Sequence, residues 1–125
     1  METQVRVYAS ITEVTAEDVG AIIISGSHGG ASAASYAREV RALLYVFNDA
    51  GVGKDKAGII ALDILEDVGI AAATVSSDSA RIGDAADTLA CGVVSHVNGC
   101  ARRLGLAADT PFAEWLSQAL ANKPK

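Results

Sequence analysis

What this chain lacks narrows its role before what it contains does. No block of lysine or arginine approaches the density that a phosphate backbone demands. Ten basic residues stand against fifteen acidic ones, a formal charge of −5, so nucleic acid is not an expected partner. The opening METQVRVYAS holds no apolar h-region with a small-residue cleavage site, and no apolar run reaches the ~18 residues of a membrane span. A cytoplasmic protein without a membrane partner is the expectation. Its two cysteines, Cys91 and Cys100, form no CxxC and no zinc-finger spacing with histidine. Both are expected as reduced thiols bordering the core. The dinucleotide fingerprint GxGxxG is absent, so no redox cofactor is expected. Internal repeats and low-complexity linkers are absent too, and the terminal NKPK is expected to fray.

Half of the 125 residues are hydrophobic and 20% are charged, enough apolar surface to offset the ordering entropy of one domain over 1–125. Val5, Val7 and Ala9 alternate with polar residues in a first strand near 4–10, and Thr15 caps the turn that follows. Apolar runs at 21–25 (AIIIS), 42–47 (ALLYVF), 70–75 (IAAATV) and 93–95 (VVS) alternate with helical patterns. This alternation predicts an α/β fold, a three-layer sandwich around a mainly parallel sheet of four to five strands, its N-terminal strand free to run antiparallel at the edge.

The spacing predicts a helix over 55–68 that lays Ala57, Ile60, Ile64, Leu65 and Val68 on the sheet and ends at Gly69. Ile59 and Leu62 then form a second apolar patch, which predicts a homo-oligomer. Further helices are expected at 31–39, at 84–91 before Gly92, from Ser95 or His96 to Gly105, and after Asp109-Thr110-Pro111. Asp55, Asp84 and Ser95 read as their N-caps.

In a parallel sheet the strand-to-helix loops meet at the C-terminal edge, where ligands bind. Four loops are expected there: Gly26-Ser27-His28-Gly29-Gly30, Asn48 to Asp55, Ser76 to Asp84, and Ser95-His96-Val97-Asn98. Both histidines of the chain fall in them, while the strands are almost free of ionisable groups. This predicts a small enzyme acting on an anionic metabolite, a carboxylate or phosphate, by hydrolase or lyase chemistry. His28 and His96 would transfer protons, with Asp49 or Asp78 orienting one of them. Ser27, Gly29, Gly30, Gly51, Gly53, Lys54, Ser79, Arg81 and Asn98 would hold the substrate through amides, hydroxyls and charge.

Three sharper motifs fail. NDAGVGKD is a degenerate GxxxxGK[ST], with Asn48 for the first glycine and Asp55 for the hydroxyl. GSHGG is not a nucleophile elbow, although Ser27 or Ser79 with a histidine base remains an alternative. His28, Asp49, Asp78 and His96 could together hold a divalent metal such as zinc or manganese, but on four separate loops. The alternative class is a non-catalytic ligand-binding or accessory subunit using the same loops.

Overall fold

Alternation inside the apolar runs decides which way each strand faces. The computed structural model describes residues 3–121; the expected fraying falls on 122–125, outside them. Its strands are β1 (Val5–Tyr8), β2 (Ile22–His28), β3 (Leu44–Asn48), β4 (Ala72–Val75) and β5 (Val94–Val97), and its helices α1 (Ala31–Ala37), α2 (Ile60–Asp67), α3 (Ala85–Cys91), α4 (Gly99–Arg103) and α5 (Phe112–Ala121). Ile23, Tyr45, Phe47 and Ala72 point to one face, under α1 and α2. Ile22, Ile24, Leu44, Val46, Ala73 and Val75 point to the other, under residues of α3, α4 and α5. Buried on both faces, these strands read as continuous apolar runs, as parallel strands do.

Strand order follows chain order, β1-β2-β3-β4-β5. The first four strands are parallel. Crossovers of one hand therefore keep the links from β1 to β4 on one face, where Ile11, α1 and α2 share a core. The α/β class is as expected, but the antiparallel strand is β5, not the N-terminal one. The cause lies in α3. It starts where the Gly83 amide donates to Gly26 at the C-terminal end of β2 (2.7 Å), and it ends where Gly92 packs on Val75 at the C-terminal end of β4. Both ends lie at one edge, so the chain enters β5 from that edge and must descend. The outer margin of β5 is then covered at its start: the Val94 amide donates to Thr110 O (2.8 Å) and Asp109 N to Val94 O (2.7 Å).

Local corrections have local causes. Residues 54–56 form a separate 3-10 turn, and α2 begins only at Ile60 with no side-chain cap, so Asp55 is not an N-cap. With that first turn gone, the buried stripe becomes Ala61, Leu62 and Leu65. Leu62 is core and Ile59 packs against it, which removes the patch that predicted self-association. Gly69 closes the helix at φ +75° as expected. Asp84 caps α3, accepting from Asp87 N. Asn98, not Ser95, caps α4. Cys91 and Cys100 are both unpaired; Cys100 is half-buried against the core, but Cys91 is exposed, because it lies beyond the buried Ala85 and Thr88 face of α3.

Candidate site at the C-terminal edge

Three of the four expected loops reach the C-terminal edge. The fourth does not. Since β5 descends, Asn98 lies at the opposite edge, where its backbone amide donates to Ala72 O at the start of β4 (3.0 Å). Its side chain is buried. Oδ1 accepts from Ala72 N (3.1 Å) and Ala101 N (2.9 Å), and Nδ2 donates to Leu62 O (3.1 Å) and Ile70 O (2.9 Å). With its amide fully committed, Asn98 has nothing left for a substrate.

His96 pairs with Thr74 across β4 and β5, while His28 pairs with Asn48 on β3. Three strand spacings therefore separate them, about 14 Å. They open into different hollows. His96 shares one of about 350 Å³ with Ser95 and Arg102, its Nδ1 3.3 Å from Ser95 Oγ. The expected partnership of two imidazoles on one small molecule is not what the topology builds. Nor do His28, Asp49, Asp78 and His96 converge: no group of three or more His, Cys, Asp or Glu able to hold a metal exists among the described residues.

Within the three remaining loops, hydrogen bonds sort the candidates. Asp49 is buried, and its Oδ1 accepts from Gly51 N (2.8 Å) and Ser77 N (3.0 Å). It ties the second loop to the third. Its neighbour Asn48 does the same, donating Nδ2 to Ala80 O (2.9 Å) and accepting from Ala50 N (2.8 Å). Ser79 accepts from Val93 N (2.8 Å) and donates to Ser76 O (2.9 Å). Ser27 Oγ accepts from Ile11 N (3.0 Å), holding the turn after β1. Gly29 is buried, its amide donating to Asn48 O. These five form the frame of the rim.

What the frame presents is His28, exposed and with an imidazole that makes no protein hydrogen bond among the described residues, together with Gly51, Gly53, Lys54, Asp78 and Arg81, all exposed. Arg81 makes no ion pair with Asp78 or Asp84; its backbone amide donates to Asp87 (2.7 Å). The sole ion pair within the described residues, Arg6 with Asp18 (3.5 Å), lies elsewhere. His28 borders a cleft of about 340 Å³ between the turn after β1, the end of β2, α1 and Ile82-Gly83. Gly30 makes its position available: a Cβ there would come within 2.6 Å of His28 Nε2, and 3.3 Å from Ala57 O. The imidazole thus lies over a bare backbone, next to the turn Lys54–Lys56. Every residue from Ala50 to Lys56 except Lys54 has positive φ. Val52 at +69° is a β-branched residue held in a region it avoids, at a cost of about 1–3 kcal/mol.

The cleft also takes in Ser32 and Tyr36 from α1, which the sequence reading passed over. They are four residues apart on the helix face opposite the buried Ala33, Ala34 and Ala37, a spacing that marks one polar stripe. No protein-family model matches the chain, and comparison with curated proteins and with solved structures finds no significant match. No helix among the described residues is long and apolar enough to cross a membrane.

Proposed function

We propose that the C-terminal rim binds a small anionic metabolite, a carboxylate or phosphate, with His28 as the group that faces it. One observation carries this reading. The imidazole of His28, bound to no described protein group, stands at the mouth of a 340 Å³ cleft that also bears the Ser32 and Tyr36 hydroxyls. That volume suits a small ligand. Lys54 and Lys56 belong to the loop whose Ala57 and Gly58 carbonyls approach Gly30 and Gly29, and Arg81 precedes the cleft residue Ile82; all three are exposed. Exposed cations on the same edge as a hydrogen-bonding ring favour an anion over a neutral ligand. Two unpaired thiols fit the reducing cytoplasm expected for the protein.

Hydrolase or lyase chemistry is the second reading. The unpartnered ring favours it, since both nitrogens are open to a ligand and imidazole is the commonest general acid or base. Binding alone stands first because Asp49 is committed to two loop amides and His96 lies three strands away, so no second group orients His28 for proton transfer. The test is titration with inorganic phosphate and short mono- and dicarboxylates, followed by amide and imidazole NMR shifts. Saturable shifts at His28, Ser32 and Lys54–Lys56, weakened about tenfold in His28→Asn, are expected. Shifts elsewhere, or none, would overturn the site. A ligand found this way but left unchanged over days supports the binding module, and its turnover, lost in His28→Asn, supports the enzyme.

A further inference from the structure

Along the opposite, N-terminal edge of the sheet runs a trough that no residue of the rim touches. Its apolar part, about 490 Å³, lies between the sheet and α5 and is walled by Ile22, Leu43, Leu104, Trp115 and Leu120. A second hollow of about 350 Å³ shares Leu43 and Leu104 with it and ends on Arg41 and Arg103. Leu43 and Leu120 are 39% and 37% exposed, among the largest hydrophobic side chains left open to water. The far end is cationic in a chain whose formal charge is −5.

That end is built. Arg41 is fixed by donating to Val68 O (2.8 Å) and Gly69 O (3.3 Å). Arg103 is exposed, with Nη1 3.5 Å from Cys100 Sγ. Glu66 lies within its field, and its carboxylate already accepts from Cys100 N (2.9 Å), a bond that, with Arg103, holds it below the usual carboxylate range. Arg41 and Arg103 thus line this end, beside a carboxylate already committed to Cys100 N.

We propose that this trough binds a monomeric amphipathic carboxylate, its chain against Leu43, Leu104, Trp115 and Leu120 and its head group at Arg103 and Arg41. Charge complementarity selects this occupant: a guanidinium fork matches a carboxylate, and an apolar channel leading to it rejects compact or cationic ligands. The trough passes the starts of β2, β3 and β4 at Ile22, Leu43 and Ala71, two strand spacings or about 10 Å, which accommodates a medium-length alkyl chain.

The chain supplies its own reporter. Trp115 is its one tryptophan, and its Nε1 donates to Leu104 O (3.1 Å), which seats the ring in the trough wall. Octanoate and decanoate, kept below micelle formation, are titrated into the full chain by tryptophan fluorescence and calorimetry in parallel. Saturable one-to-one binding is expected, tighter for decanoate. It should weaken about tenfold in Arg103→Ala and at least as much in Leu43→Gln, and persist in His28→Asn. Both substituted side chains are exposed, and far-UV circular dichroism verifies that the variants fold. No heat and no fluorescence change would overturn the proposal. So would equal affinity for decyltrimethylammonium, an undiminished affinity in Arg103→Ala, or a response to phosphatidylglycerol vesicles but not to the free acid, which would make the trough a lipid surface instead.

Discussion

Asn48 and Asn98 are both buried asparagines at a strand end, on opposite edges of one sheet, and they leave opposite surroundings behind them. Asn98 uses its side chain four times, on Ala72, Ala101, Leu62 and Ile70, and closes its edge against α2 and α4. Asn48 makes two such bonds, to Ala80 and Ala50; with Asp49 it holds two loops together while the exposed side chains of Lys54, Asp55, Lys56 and Asp78 stay outside the bonded frame. A polar residue at the end of a strand is therefore no guide to a site by itself. What distinguishes the rim is capacity left over once the backbone has been satisfied.

The largest expected effect breaks the closed edge. Asn98→Ala strands the buried groups of Ala72, Leu62 and Ile70 without partners and should cost about 3–4 kcal/mol, read as a lower urea midpoint at unchanged slope. If Asn98 served a ligand instead, stability would hold. On the rim, Asp49→Ala removes the acceptor of two amides and should cost about 2 kcal/mol, with faster hydrogen exchange at Ser77 and Gly51 and none at the Asn98 end.

A third prediction sharpens the contrast through pH. Tyr45 is fully buried and its hydroxyl donates to Val40 O (2.6 Å), a further tie before β3. Burial pushes this phenol up, with the Asp18 carboxylate adding to the effect. The folded chain thus keeps a proton that the unfolded chain releases above about pH 10. Its stabilising contribution is complete below that pH and is lost progressively as pH rises above it towards the higher folded-state value. Tyr45→Phe should cost about 1 kcal/mol at neutral pH and flatten the alkaline decline in urea midpoint; an identical decline in the variant would assign it to other groups. The smallest effect on stability, under about 0.5 kcal/mol, is expected for Gly30→Ala. Its Cβ meets the exposed His28 ring, which can swing away. Anion affinity at the rim should nevertheless fall with the displaced imidazole, and unchanged affinity would separate His28 from the ligand.

The layered α/β architecture was readable because burial on both faces produces uninterrupted apolar runs, and AIIIS and ALLYVF can hardly be anything else. The direction of β5 was not. Val93 to Val97 reads alike upward or downward, and its sense depends on where α3 ends, a tertiary fact with no local signature. That single reversal carried His96 and Asn98 out of the expected site. The stripe of α2 slipped for a different reason: the run of positive φ before it shortened the helix, and residues counted in helical phase from Ala57 were out of phase with the real one. His28 was visible because histidine is an unusual turn residue. Ser27, Asp49 and Ser79 carry the same residue types as a binding site, and only their hydrogen bonds reveal that they are structural.

The covered flank of β5 has a consequence for how these molecules meet. With Asp109 and Thr110 bonded to Val94, a further strand is barred from the start of β5, whereas the four residues of β1 carry no such bond to another segment on their outer side among the described residues. Strand addition there would join two copies back to back, and a third copy adding at the far border would have to displace the Asp109-Thr110 segment from Val94. Propagation into fibres by that route is hindered beyond the pair.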